Sequence, residues 1–529
     1  MKSRRSHIQK IFFLHFIVYY ISCSAVSPSK TSKYETGRPP SPDAVNDKNE
    51  ATRETIKPPS PFEFTPKKDE SVRFHYYFSN LPFTDDSVEI IANPQKNASV
   101  ILIVVDAFNA SHSSAYGYKR DTTPFLREFA KEGVTFTNFI SNSSWTRPSF
   151  STIITGVPRT VHKMELGDNI LSNNINTLAE QFKKAGYKTG AFIGNPLITK
   201  KWNYQQGFDT FIDSETAGPF ASGETLVNLA KEWLEHINEG EPFFLTLFLT
   251  DPHAPYTPPI NELKYLNIKD ADSVINPSRE FLQPMEEVEH KKIIDAYDDE
   301  VSYSDRKIEQ FINFCENRFK TDNMVFAVTA DHGEIFGEHN CFQHAYHMWE
   351  PVVRVPFIIK SKLISSINIK TDHPATHTDI MPTLLYLAKI PFNTDYGDTL
   401  FKSSDNLKII ITAYDARGVK RTAARQGVIK LVKYEKVNKK LFESLGKEDL
   451  LIQFPSLNRP APFYELYNLE DDFKEQNNIL DTFENSELVE LLKESIEKYN
   501  NPVKKAVVEK EIKLDNETLE ALKAAGYIR

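Results

Sequence analysis

Several stretches of the chain are apolar at almost every position rather than at alternate ones. Ala98–Val105, Pro242–Leu249 and Met324–Ala330 are the clearest, and Lys188–Ile193 reads as a further strand. Unbroken apolar character with β-branched residues predicts strands buried on both faces, the mark of a parallel sheet. Between them the period changes to that of helices. Thr123–Gly133 is amphipathic, with Pro124 at its start and Gly133 at its end, an arrangement suited to a helix. Asn176–Ala185, Leu226–Glu239, Lys291–Arg318 and Thr376–Leu387 read as further helices, and Val134–Asn138 as a short strand. Val353–Ile359 reads as one more strand, interrupted by Pro356. Residues 260–290 look like a surface excursion. Past Pro391 the pattern shifts to shorter strand candidates, Lys408–Thr412, Gly427–Tyr434 and Pro462–Leu469, with a last helix over Asp515–Ala525. Strand–helix alternation predicts an α/β fold: a mostly parallel central sheet flanked by helices over residues 98–390, with a smaller C-terminal α+β subdomain over residues 391–529.

The N-terminus changes the picture of where the chain works. Lys2, Arg4, Arg5 and Lys10 precede the apolar run Ile11–Ile21, and small residues follow to Ala25. This reads as a signal peptide over residues 1–25; an uncleaved N-terminal tether is the alternative. The run is short for a membrane span, which needs roughly 20 residues. Residues 26–70, rich in Ser, Pro and Lys, read as a disordered linker, and residues 71–97 as an N-terminal extension. The expected location is extracytoplasmic, secreted or periplasmic. A net charge of −9 argues against broad nucleic-acid binding, which needs a basic surface. Cleavage would leave two cysteines, Cys315 and Cys341, which could pair in an oxidising compartment.

Candidate chemistry gathers at strand ends. Three predicted strands run out at Asp106, at Asp251 and His253, and at Asp331 and His332. In open α/β sheets, ligands bind beyond the C-terminal ends of the strands. Between the first two lies Ser143–Gly156, a hydroxyl-rich turn followed by Pro148 and an apolar run ending in Gly156. That layout places Thr146 just before a helix N-terminus, where free N–H groups and the macrodipole favour an anion. A hydroxyl there is placed to attack a phosphate or sulfate; the plain alternative is an N-cap. Together these carboxylates, imidazole and hydroxyl are sufficient to hold one divalent cation, which would activate a weak alcohol nucleophile. Asp plus His favours Mn or Zn, with Ca still open. His344, thirteen residues after Asp331, could return to the same pocket. Asp251, His253 and His339 could supply a second cation, or His332 and His339 could simply cap a loop.

The motifs ILIVVDAFNASHSSAYGYKRDTTPFLREFAKEGVTFTN, TRPSFSTIITG, LFLTDPHAPYTPP, YDDEVSYSDRKI, TADHGEIFGEH, VRVPFII and HTDIMPTLLYLAKI occur in that order. The chain resembles the sulfatase family of the alkaline-phosphatase-like superfamily over nearly all of residues 98–529. FYELYNLEDDFKEQNN and LDNETLEALKAAGYIR resemble the family's closing segments. The resemblance implies a metal held by Asp106, Thr146, Asp331 and His332, with Thr146 as nucleophile. It implies His253 and His344 beside the substrate's charged group or leaving oxygen, and Arg147 and His339 as substrate contacts. His344 has the spacing of phosphoethanolamine-transferase-like relatives, which usually carry another residue type at the position of His339. Three departures matter. Sulfatases proper use a Cys or Ser converted to formylglycine, and Thr146 cannot be so converted, so formylglycine is not expected. Phe150 replaces an Arg of that motif, and Ala107 stands where the family pairs a second acid with Asp106. The expected activity is therefore metal-dependent hydrolysis of phosphoric mono- or diesters, or phosphonate esters, through Thr146. Sulfate-ester hydrolysis with unmodified Thr, phospho-headgroup transfer, and non-catalytic binding are the alternatives. Recognition of the organic part falls to residues 196–225, 260–290 and the C-terminal loops, where no motif guides the reading.

Overall fold

Runs that are apolar at every position have only one stable place in a water-soluble fold, the middle of a sheet covered on both sides. In the computed structural model, β1 (Ser99–Val105) is buried at all seven positions. The model describes residues 90–165, 169–271, 275–277, 285–401, 408–416, 419–437 and 460–502. The following strands are β2 (Val134–Phe136), β3 (Phe139–Ile140), β4 (Lys188–Ile193), β5 (Thr210–Ile212), β6 (Phe243–Leu249) and β7 (Met324–Ala330). Then come β8 (Ile335–Phe336), β9 (Phe342–Gln343), β10 (Phe357–Ser361), β11 (Ile369–Thr371) and β12 (Ala375–Thr376). Eight of them form one sheet in the order β11-β2-β10-β7-β1-β6-β4-β5. The β7-β1-β6-β4-β5 stretch is parallel throughout. β10 runs antiparallel to both its neighbours, β7 and β2.

Helices α1 (Pro124–Lys131), α2 (Thr146–Thr155), α3 (Leu178–Lys184), α4 (Gly223–Glu235), α5 (Glu287–Phe319) and α6 (Ile380–Leu387) connect these strands. Their starts follow local chemistry. Thr177 and Glu180 make a reciprocal capping box at the head of α3, satisfying two donors that the first turn leaves open. Pro124 opens α1, while the Asp305 carboxylate accepts the N–H groups of Phe125 and Leu126. α2 differs from an ordinary surface helix, because all ten of its residues are buried.

A second sheet follows, β13 (Ile410–Ala416), β14 (Val419–Gln426), β15 (Ile429–Val437) and β16 (Phe463–Asn468), antiparallel in that order. Helix α7 (Glu487–Asn500) covers one face, where Val489, Leu492 and Ile496 meet Ala424, Leu431 and Leu466. The fold is thus the mostly parallel α/β sheet with a small C-terminal sheet that the pattern predicts. Details differ. The strand expected over Val353–Ile359 begins only at Phe357, after a helical turn at Glu350–Val353, since Pro356 offers no N–H to the ladder. β14 and α7 were not foreseen. Cys315 and Cys341 are both buried and are not joined in a disulfide. The signal-peptide, linker and Asp515–Ala525 expectations fall outside the described residues. Among the described residues, no helix is long and apolar enough to cross a membrane.

Candidate active site

Four adjacent parallel strands deliver polar residues to one edge of the sheet. β1 ends at Asp106, β7 at Asp331 and His332, β4 at Asn195, and β6 runs on to His253. One ligand atom from each of Asp106, Asp331 and His332 falls within a 4.8 Å group, with all three residues buried. Thr146, the first residue of α2, enters the same space. Its Oγ1 lies 3.2 Å from His332 Nε2 and 3.5 Å from Asp106 Oδ1. The cap residue is Trp145, in extended geometry, so Thr146 stands one place later than a cap.

Each member is fixed by a partner behind it. Asp106 Oδ2 accepts a 2.6 Å bond from Asn195 Nδ2, and Asn195 Oδ1 in turn accepts from Leu197 N–H. Asp331 Oδ1 accepts from the backbone N–H groups of Ala107 and His332. Its Oδ2 is buried without a hydrogen-bond partner, 3.4 Å from His332 Nε2. His332 Nδ1–H donates to the Gly333 carbonyl at 2.9 Å, a tautomer that turns the Nε2 lone pair to the cluster. Burial pushes the Asp106 carboxyl well above its usual range, with the Asp331 charge adding to the rise and the Asn195 bond opposing it. Burial likewise lifts Asp331 to about 7. Two buried acids facing one imidazole lack positive charge, and one acid oxygen lacks a donor. A divalent cation among Asp106, Asp331, His332 and Thr146 Oγ1 supplies both, so the donor set fits a metal.

His344 reaches this edge from the loop after β9. Its ring centroid is 4.1 Å from that of His332 and 5.0 Å from that of His253. His344 Nδ1–H donates to Glu334 Oε1 at 3.0 Å, while Glu334 Oε2 accepts from Tyr256 Oη–H at 3.2 Å. His253 Nδ1–H donates to the Ala254 carbonyl. The remaining candidates go elsewhere. The Arg147 guanidinium lies 4.0 Å over the Trp202 ring and donates to the Asn169 carbonyl. His339 stacks on Trp349 at 3.8 Å and donates to the Lys474 carbonyl. Asp251 accepts from Gly223 N–H at the head of α4, so a second cation shared by Asp251, His253 and His339 has no support in this geometry.

Two buried partners, Asn195 and Glu334, escaped the sequence reading. Asn195 carried the same signal as Asp106, a polar residue just past a buried strand. Glu334 stood within the DHGE segment, three residues after Asp331.

The geometry defines a class, an α/β fold that gathers acids, an imidazole and a hydroxyl at the carboxyl edge of its sheet. A model of the Sulfatase family matches residues 98–390. The chain belongs to that family and is an enzyme of it, a hydrolase of sulfate or phosphate esters. A sulfatase of Formosa agariphila is 27% identical over 369 residues, covering 58% of this chain and 72% of its own. A solved structure of a protein with its substrate D-glucosamine-2-N,6-O-disulfate superposes with TM-score 0.60 at 18% identity, over 77% of this chain and 99% of that one. The phosphonate monoester hydrolase of Agrobacterium radiobacter superposes with TM-score 0.61 at 16% identity, over 76% and 95%.

Proposed function

We propose that the chain hydrolyses phosphoric or phosphonate esters, with Thr146 as the attacking group and without formylglycine. The carrying observation is the Thr146 hydroxyl at the head of a buried helix, between His332 Nε2 and Asp106 Oδ1. Thr146 Oγ1 adds to phosphorus in line with the leaving oxygen, and its proton departs along the contact to Asp106 Oδ1. α2 begins at Thr146, so the positive end of its dipole lies beside the developing negative charge. Glu334 holds His344 through Nδ1, which keeps the His344 ring beside the same oxygens. His253, with Nδ1–H fixed by its backbone bond, acts in its doubly protonated form, handing the Nε2 proton to the leaving oxygen and returning to the neutral ring. Water then releases the phosphoryl group from Thr146. A divalent cation, Mn or Zn by its ligand set, supplies charge neutralisation and polarises the ester when held by Asp106, Thr146, Asp331 and His332. Arg147 and His339 take supporting places in this scheme: Arg147 braces α2 against Trp202 and His339 fixes the loop after β9.

Sulfate-ester hydrolysis is the second reading, favoured by the sulfatase relative. A panel of nitrophenyl phosphate mono- and diesters, phosphonates and sulfate, each with Mn, Zn and Ca, separates the two. The expected outcome is phosphoryl turnover that exceeds sulfuryl turnover, with Thr146 unmodified by mass spectrometry. Turnover confined to the sulfate ester would overturn the proposal. Thr146→Ala should reduce turnover by about a thousandfold or more, with the unfolding temperature and metal content retained.

A further inference from the structure

The segment between β5 and α4 holds a residue that fold alone does not explain. Phe220 has φ +52°, left-handed backbone that a bulky side chain rarely adopts. Such strain persists only where the surroundings over-determine it, and it gathers at functional sites. Here three hydrogen bonds fasten the turn. Phe220 N–H donates to the Gly194 carbonyl at 3.2 Å, Ala221 N–H to the Gly218 carbonyl at 3.2 Å, and Thr250 Oγ1 to the Ala221 carbonyl. Gly194 is itself committed to this seating, because a Cβ there would stand 2.8 Å from Thr250 Oγ1 and 3.1 Å from the Ala221 oxygen. The next residue is Asn195, which holds Asp106. The strained turn therefore rests directly on the frame of the site.

The Phe220 ring is spent at the site as well. It lies nearly parallel to His253, at 5.8 Å and 29°. His253 meets His344 at 5.0 Å, and His344 meets His332 at 4.1 Å. A file of rings thus runs outward from the nucleophile: His332, His344, His253, Phe220. The first three are buried. Phe220 is half-buried, between exposed Pro219 and buried Ala221. Its ring neighbour in that file is His253, the group assigned above to the leaving oxygen. A phenyl ring offers no hydrogen bond, only a flat apolar face.

We propose that Phe220 is a specificity-determining residue and that the favoured ester carries a flat apolar face beside its bridging oxygen, either an aryl ring or the C–H face of a sugar ring. This rests on the assignment of ester hydrolysis at Thr146.

The test uses the full metal-loaded chain and inhibitors that cannot be cleaved, so that leaving-group reactivity does not enter. Binding of phenylphosphonate, cyclohexylphosphonate and methylphosphonate is measured by calorimetry, with a sugar 6-methylenephosphonate, its bridging oxygen replaced by CH2, as the carbohydrate arm. The wild-type chain should bind phenylphosphonate or the sugar methylenephosphonate about tenfold more tightly than methylphosphonate. Phe220→Gly, which suits the backbone, and Phe220→Leu, which keeps bulk without a flat face, should both shrink that ratio to about twofold or less. Methylphosphonate affinity should stay within about twofold. The arm that loses affinity tells aryl from sugar. An unchanged ratio in both variants would overturn the inference, as would a ratio preserved while the unfolding temperature collapses, the signature of a purely packing role. Failure of the wild-type chain to cleave any ester would instead count against Thr146, and the binding ratio would still be read.

Discussion

At the scale of single residues, the site depends on groups that touch no substrate. Asn195 holds Asp106 Oδ2 in place, so Asn195→Ala leaves that oxygen free to swing and to keep a proton. Loss of such a backing partner usually weakens metal affinity by about 10–100-fold. Titration of the metal-free chain with Mn or Zn should show a loss in that range, with the fold intact. A second acid tests stability without touching the chemistry. Asp305 is buried and its carboxyl is raised to about 7, chiefly by burial, against the bonds from Leu126 and Phe125 N–H. An acid whose folded pKa exceeds its unfolded value binds more protons when folded, so its contribution falls as pH rises from about 4 to about 7. Asp305→Asn cannot titrate, so the wild-type chain should lose ground to it over that window, on the order of 2 kcal/mol. Paired thermal melts at pH 5 and pH 8 check the sign; a gap that moves the other way refutes it. Acids and hydroxyls that end buried strands were legible in the sequence, because apolar runs announce strand ends. Asn195 and Glu334 were not singled out, since their roles exist only through contacts across the sheet edge.

At the scale of elements, α2 is fixed from both ends. Its head carries Thr146, and its tail closes on Gly156 in left-handed geometry at φ +64°. A Cβ on Gly156 would also stand 3.2 Å from Met381 of α6. Gly156→Ala should cost about 1–2 kcal/mol from the backbone alone and lower the unfolding temperature by several degrees, which calorimetry reads directly. Elements with a clean period were legible: β1, β6, β7, α1, and the long α5. β14 was missed because its inward positions include Arg421 and Arg425, both buried. A strand that points charge at the interior breaks the apolar pattern on which a sequence reading depends. The expected Val353–Ile359 strand misplaced its start for the opposite reason, since Val352, Val353 and Val355 are apolar and buried but belong mostly to a turn.

At the scale of the whole molecule, those buried cations explain why the small sheet is there. Arg421 donates to the Tyr346 carbonyl and to His347 Nδ1. Lys430 donates to the Met348 carbonyl and pairs with Glu350 and Glu475, while Arg425 pairs with Glu350. Apart from the Lys430–Glu475 pair, these grips fall on the few residues that follow His344. Removing one partner of a buried pair typically costs about 3–5 kcal/mol, so Lys430→Met should destabilise the chain strongly. Arg421→Met should act more narrowly. It loosens the His344 segment, and kcat should fall about tenfold or more with KM little changed, which steady-state kinetics on the best ester would resolve.

The same grips order events in time. Asp106, Thr146, Asp331 and His332 are all made well before Arg421, Lys430 and Glu475. A chain still leaving the ribosome would therefore have all the residues of the proposed metal site while the segment that bears His344 remains unfastened. On the proposed roles, hydrolysis would start only once the late sheet holds that segment, and the growing chain would pass through its own synthesis as an inert precursor.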